Sequence, residues 1–208
     1  MYSIFELFKI GIGPSSSHTV GPLTACHHFI SQLIADQLLP ETHRIQVRLY
    51  GSLALTGEGH CTDLACLIGL NGLQAHEATN DDADRCMQSV KQNKILSLNN
   101  EKEISFIYER DIIFENNIFL DEHPNAMDVE AFNAEGEKLF HRRYFSIGGG
   151  SIECAQEKSD VESARLIPYV FESAKELIAQ CEKHNFSVAE LAVQNDIARG
   201  MSREKIEQ

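Results

Sequence analysis

Residues 9–22 have the sequence KIGIGPSSSHTVGP, and the rest of the chain is organised around this stretch. There is no apolar run between Gly13 and Thr19, so the segment cannot form part of a hydrophobic core. Glycine tolerates positive φ angles and proline fixes φ, so an irregular path is expected. Pro22 suits the first turn of a helix, because the N–H that proline lacks would have no partner there. The stretch therefore predicts a hydroxyl-rich loop that leads into a helix.

This loop has two interpretations. The first N–H groups of a helix lack intrahelical acceptors, so together with nearby hydroxyl groups they can bind a carboxylate or a phosphate. The alternative is a serine-rich cap and turn with no ligand. The residue pattern alone leaves both interpretations open.

A second polar loop follows the first predicted strand. Apolar and polar residues alternate over Arg44–Tyr50, which predicts a half-buried strand, and residues 57–63 then have the sequence GEGHCTD. Glycines before His60 leave one side of its ring open to an approaching group. A histidine at such a junction is either a structural hydrogen-bonding residue or a proton-transfer group.

The remaining elements follow from apolar periodicity and turn residues. Helices are predicted over about 23–38 and over 64–70, the second capped by Thr62 or Asp63. Further strands are predicted at 104–108, 112–114, 129–132 and 138–147, the last two as a hairpin, and Gly148–Gly150 is expected to end the sheet. Helical patterns follow at 174–181, after a capping box at Ser187–Glu190, and from Ser202.

Composition limits the class of partner. The chain has 208 residues, 43% of them hydrophobic, which is enough for a sizeable core. Its net charge of −13 argues against a nucleic-acid partner or a membrane surface. No apolar run approaches the roughly 18 residues of a membrane span, and the first residues lack a secretory pattern. We expect a cytoplasmic protein.

The six cysteines form no CxxC pair, so the metal-binding signal is weak. An even number permits disulfides, but the chain is long and shows no export signal. We therefore expect mostly reduced, packed thiols. They are Cys26, Cys61, Cys66, Cys86, Cys154 and Cys181.

Four motifs, taken together and in order, closely resemble the iron–sulfur L-serine dehydratases. They are IGIGPSSSHT at 10–19, GSLALTGEGH at 51–60, HPN at 123–125 and SIGGG at 146–150. The resemblance covers most of residues 2–152, and residues 173–195 resemble the start of that family's helical domain in its single-chain form. Cys61 and Ala126 depart from the pattern, since the family commonly has glycine at both positions.

The resemblance implies an α+β fold, a mixed sheet with helices packed on it, similar to the allosteric substrate-binding domain of 3-phosphoglycerate dehydrogenase. It implies an α+β domain over 1–152, a linker over 153–172, and the beginning of a helical, cluster-binding catalytic domain over 173–208. The implied enzyme is a homodimer.

The implied reaction removes water from L-serine and gives pyruvate and ammonia. A [4Fe-4S] cluster acts as the Lewis acid, and no pyridoxal phosphate is needed. In the family the cluster cysteines lie in the helical domain, and none of the six cysteines of this chain corresponds to them. We therefore expect the chain by itself to bind no cluster and to be inactive without the helical partner domain.

The resemblance also implies roles for residues of the polar loops. His60 is expected to act as the general base or its close partner, and His18 and Asn125 as donors to the substrate carboxylate. His123 either shapes its turn or touches the substrate. Additional hydroxyl and N–H groups for the carboxylate are expected from Ser15, Ser16, Ser17 and Thr19.

Two other functions compete with this one. The fold resemblance also fits a non-catalytic module that binds an amino acid or another small anion. A Ser/His/Asp hydrolase built on Ser15–Ser17 and His18 is disfavoured, because no GxSxG elbow is present and adjacent residues rarely reach the required geometry.

Overall fold

The computed structural model describes residues 10–157 and 167–207. The chain divides into two compact units, Lys9–Lys158 and a second unit of Met1–Phe8 with Ser159–Gln208. Part of the predicted linker, residues 158–166, lies outside the described residues.

The larger unit contains seven strands and five α-helices among its described residues. The strands are β1 (Arg44–Tyr50), β2 (Ile95–Leu98), β3 (Lys102–Ser105), β4 (Ile112–Glu115), β5 (Ala126–Phe132), β6 (Lys138–Gly148) and β7 (Ser151–Cys154). The helices are α1 (Gly21–Ala35), α2 (Gly51–Thr56), α3 (Thr62–Leu70), α4 (Asn80–Gln88) and α5 (Tyr108–Asp111). Short turns of other helical types occur at Ser16–Val20, Leu39–Glu41, Glu58–His60 and Ser89–Asn93.

Five of the strands form one mixed sheet, in the order β4-β1-β5-β6-β7. Strand β1 runs parallel to β4 and antiparallel to β5, and the β5–β6 and β6–β7 pairs are antiparallel. Phe29 of α1 and Leu67 of α3 join Val47 and Val129 of the sheet in one buried cluster. Helix α1 therefore packs on one face of the sheet with α3 against it, and the predicted α+β class is confirmed.

Strand β1 has the predicted bounds, and the predicted hairpin forms between β5 and β6. The expectation that Gly148–Gly150 ends the sheet is wrong. These glycines have φ angles of 101°, 60° and 76°, in the left-handed region that glycine tolerates, and they return the chain as β7 beside β6.

The predicted cap of α3 is also wrong. Cys61 occupies the N-cap position with a φ of 55°, and no side chain caps the helix. The Thr62 hydroxyl instead donates to the His18 carbonyl, and the buried Asp63 carboxylate accepts from the Tyr108 hydroxyl. Both candidate capping groups are used for contacts between distant segments.

The described part of the second unit contains three helices, α6 (Ala174–His184), α7 (Val188–Ala198) and α8 (Arg203–Glu207). The predicted helix start at Ser187 is confirmed, since its side chain accepts from the Glu190 N–H at 3.0 Å. In both described segments, every helix is too short or too polar to cross a membrane.

Candidate functional site

His18 joins the first two sequence motifs. It lies in the turn that precedes α1, and its Nδ1 is 2.8 Å from the Ser17 Oγ. Its Nε2 is 2.8 Å from the Oγ of Ser52, which lies in the first turn of α2. A neutral imidazole donates from one nitrogen and accepts at the other, so one serine donates to His18 and the other accepts from it.

His60 lies beside His18, and the centroids of the two rings are 5.1 Å apart with the planes tilted by 38°. The Nδ1 of His60 is 2.9 Å from the Thr56 carbonyl oxygen. Because a carbonyl can only accept, Nδ1 must carry the hydrogen. In the neutral ring the lone pair is therefore on Nε2. A backbone contact four residues away thus fixes the tautomer of His60.

The third and fourth motifs reach the same loop through Ser146. The Ser146 Oγ donates to the Ser17 carbonyl at 2.7 Å, and its N–H donates to the Asn125 carbonyl at 2.9 Å. The Asn125 Nδ2 in turn lies 3.3 Å from the Ser146 carbonyl. A Cβ on Gly21 would come within 2.1 Å of the Ser146 Oγ, so glycine is needed for this approach.

The turn at 123–125 also packs against α2. Gly51 has a φ of 53°, and a Cβ there would lie 2.4 Å from the Pro124 carbonyl oxygen. That oxygen accepts from the Ser52 N–H at 2.8 Å. The Nδ1 of His123 accepts from the Asn125 N–H at 3.0 Å, which is the turn-shaping contact. The turn therefore holds both Ser52 and Asn125 at the site.

Burial is the largest influence on the charge of His18. It lowers the pKa of the imidazole, the neighbouring His60 lowers it further, and the hydrogen bond with Ser52 opposes the change. His18 is therefore neutral at neutral pH and remains a combined donor and acceptor between its two serines.

The structure brings most of the predicted site residues together. Ser15 accepts from the His18 N–H at 3.2 Å and lies 3.4 Å from the Ser17 hydroxyl. Ser16 is exposed in the same turn. Thr19 is different, because it is 2% exposed and its hydroxyl donates to the His60 carbonyl at 2.8 Å.

Sequence reasoning missed three residues of the site: Ser52, Thr62 and Ser146. Ser52 and Ser146 lie within the quoted motifs, and Thr62 lies in the second loop. Their partners are 34, 44 and 129 residues away. Such long-range pairings can be seen only in the folded chain. The one sequence signal for these residues was that they are polar and lie in or beside a motif.

The described residues do not fit a [4Fe-4S] cluster, which is held by cysteine thiolates. Over 10–157 and 167–207, no group of three or more His, Cys, Asp or Glu side chains is placed to hold a metal ion. All six cysteines are free thiols, and Cys61 is exposed. The pKa of the Cys66 thiol is raised most by a hydrogen bond with Cys26 and next by burial, so this thiol stays protonated.

Known proteins are similar to this chain over most of its length. The family model described as "Serine dehydratase beta chain" matches residues 3–157. The chain is 42% identical to an L-serine dehydratase of Helicobacter pylori over 193 residues, which are 91% of this chain and 42% of that protein. It is 38% identical to L-serine dehydratase 1 of Escherichia coli over 207 residues, 98% of this chain and 45% of that protein. The chain thus spans less than half the length of these curated relatives.

Proposed function

Because the chain belongs to the serine dehydratase beta chain family, we propose that it supplies the proton-transfer and carboxylate-binding half of an L-serine dehydratase active site. In that reaction a base removes the α-proton of L-serine, and the β-hydroxyl group leaves as water. The resulting aminoacrylate becomes an imine, and water then hydrolyses the imine to pyruvate and ammonia. The reaction therefore needs one group that accepts a proton and others that hold the carboxylate.

The state of His60 carries this proposal. Its Nδ1 hydrogen is held by the Thr56 carbonyl, which leaves a lone pair on Nε2. The ring is half-buried beside the hydroxyl-rich loop. We assign the removal of the α-proton to His60 Nε2.

The hydroxyl-rich loop would hold the substrate carboxylate. Ser15 and Ser17 offer hydroxyl groups, and Asn125 adds a side-chain amide that Ser146 keeps in place. Both ring nitrogens of His18 are hydrogen-bonded to serine hydroxyls, so His18 would support the substrate carboxylate indirectly, through Ser17 and Ser52. The exposed Ser16 extends the same loop.

Other parts of the proposal rest on the family resemblance alone. These are the [4Fe-4S] cluster, the helical partner domain that would bind it, the homodimer and the cytoplasmic location. The thiols that the structure describes in this chain do not match the cluster, so we assign it to a partner domain.

The two rival functions fit the site less well. A module that only binds an anion would use the same hydroxyl groups but would not need the oriented lone pair of His60, and the relatives are named as dehydratases. A hydrolase triad needs a carboxylate on the second nitrogen of its histidine, whereas both nitrogens of His18 are occupied by serines.

The test is the variant His60→Ala in the complete enzyme, assembled anaerobically from this chain and its cluster-binding partner. We expect pyruvate formation from L-serine to fall by about 100-fold to 10,000-fold, the usual contribution of a general base, with the cluster absorbance unchanged. The control is His76→Ala, because the side chain of His76 is 61% exposed. Near-normal turnover in the His60 variant would contradict the assignment.

A further inference from the structure

Two buried threonines connect the loops that carry the two histidines. The Thr19 Oγ1 donates to the His60 carbonyl at 2.8 Å, and the Thr62 Oγ1 donates to the His18 carbonyl at 2.6 Å. Thr19 is 2% exposed and Thr62 is fully buried. Each threonine follows one histidine closely in sequence and binds the carbonyl of the other. The two hydrogen bonds are therefore reciprocal, and they join residues 41 and 44 positions apart in sequence.

Neither hydroxyl serves its own helix. Thr62 is the first residue of α3, yet its hydroxyl crosses to the other loop while Cys61 takes the N-cap position without a side-chain bond. The methyl group of Thr19 packs against Gly13, where a Cβ would come within 2.3 Å of the Thr19 Cγ2. Since a β-branched side chain has few χ1 rotamers, this packing holds the Thr19 hydroxyl on its acceptor.

We propose that Thr19 and Thr62 form a reciprocal clamp that sets the distance and orientation between the His18 and His60 rings. The rings belong to the two residues whose carbonyls the threonines hold, and their centroids are 5.1 Å apart. The threonines are positioning residues, because they act through the histidines. The effect of the clamp on catalysis rests on the proposed function. Its effect on the positions of the two imidazole rings can be measured without any turnover.

If the clamp exists, removing either threonine hydroxyl should change the pKa of His18 and the tautomer of His60. Burial and the nearby His60 lower the pKa of His18, and Ser52 opposes them, so a displaced His60 loop would let that pKa rise. The hydrogen bond from His60 Nδ1 to the Thr56 carbonyl lies within the same loop, so a mobile loop would also yield a mixture of His60 tautomers. A purely structural contribution would lower stability and leave both ring properties unchanged.

The experiment is NMR of ¹⁵N-histidine-labelled chain with Thr19→Val and Thr62→Val, singly and together. Valine keeps the shape of threonine and removes the donor. Thr19→Ser and Thr62→Ser keep the donor and should preserve the wild-type spectra. The matched control is Thr42→Val, because Thr42 is also fully buried and its hydroxyl donates to the Leu38 carbonyl at 3.0 Å.

We expect an upward shift of the His18 titration midpoint and a loss of the single His60 tautomer in the Thr19 and Thr62 valine variants only. Each single variant keeps one of the two bonds, so the single variants carry the test if the double variant does not fold. Wild-type values for both rings in folded valine variants would overturn the clamp.

A kinetic measurement separates the clamp from the proposed function. In the complete enzyme, Thr62→Val should lower kcat by up to about 100-fold, as small misplacements of catalytic groups do, with a smaller change in KM and recovery in Thr62→Ser. If the rings move in the NMR spectra but kcat stays normal, the proposed role of His60 is wrong and Thr62 is not a positioning residue for the reaction.

Discussion

Gly21→Ala is a sharp test of how the fourth motif supports the site. Gly21 is the first residue of α1 and has ordinary right-handed helical angles, with φ −59° and ψ −56°. On backbone grounds alone, alanine should stabilise such a position by about 1 kcal/mol. However, its Cβ would lie 2.1 Å from the Ser146 Oγ and 2.9 Å from the Ser146 Cβ. The steric term therefore decides the sign of the change.

The magnitude follows from what Ser146 would lose. Ser146 is 2% exposed, and its hydroxyl donates to the Ser17 carbonyl at 2.7 Å. A hydrogen-bonding group left unpaired in such a place costs about 1–3 kcal/mol, and overpacking adds a similar amount. After the gain in helix propensity is subtracted from these two costs, we expect Gly21→Ala to lower the free energy of unfolding by about 1–5 kcal/mol.

Urea unfolding of four proteins measures the effect: wild type, Gly21→Ala, Ser146→Ala and the double variant. If the hydroxyl is the obstacle, Gly21→Ala should cost at least about 1 kcal/mol less in the Ser146→Ala background than in the wild type. Gly59→Ala is the control, since among the described residues no heavy atom beyond its chain neighbours lies within 4 Å of the added Cβ, and it should change stability by less than about 0.5 kcal/mol. An unchanged or raised stability for Gly21→Ala, or strictly additive costs, would refute this account of Ser146.

Two further predictions concern charge. The Asp128 carboxylate is 8% exposed and accepts two hydrogen bonds of 2.8 Å from Arg143, which outweigh burial and lower its pKa. Asp128→Asn should lower the free energy of unfolding in urea by about 3 kcal/mol, which is the low end for a broken buried ion pair because Arg143 is 28% exposed. Lys138→Gln, which removes an exposed ion pair, is the control. An equally small loss for Asp128→Asn would contradict this prediction. The lowered pKa of His18 means that the unfolded state binds more protons just below about pH 6.5, so stability should fall as the pH drops through this range. The free energy of unfolding of His18→Gln should fall less than that of the wild type between about pH 7.5 and pH 5.5. Equal slopes of stability against pH in the two proteins would show that His18 does not cause this pH dependence.

Sequence patterns predicted the elements whose burial has a regular period. Strand β1 was found with its bounds because Ile45, Val47 and Leu49 face the buried cluster and alternate with polar residues. The helix at 51–56 was missed, because Gly51–Ser52 looked like the end of a strand and six residues are too few to show a helical period. Gly51 does end the strand, but its φ of 53° turns the chain directly into α2.

The histidines of the site could be identified from the sequence, but their environment could not. His18 and His60 stand out because each lies in a polar loop before a helix. The partners of His18, Ser52 and Thr62, are ordinary residues, and the pairing depends on how α2 and α3 lie against the loop before α1. A threonine before a helix is usually a cap, so the local preference of Thr62 pointed to the wrong partner.

The two histidines of the site should therefore respond differently to distant substitutions. The tautomer of His60 depends on a carbonyl only four residues away, so it survives any substitution that leaves the conformation of its own loop unchanged, which loss of the Thr19 or Thr62 hydroxyl would not. The state of His18 depends on Ser52, 34 residues away, and on the His60 ring, so any loss of packing between the loops reaches it. A base needs a fixed lone pair, and a residue that supports several hydroxyl groups needs both ring nitrogens engaged. The Thr56 bond of His60 meets the first requirement, and the bonds of His18 to its neighbour Ser17 and to the distant Ser52 meet the second. This is the physical reason for our proposal that His60 transfers the proton and His18 supports the carboxylate.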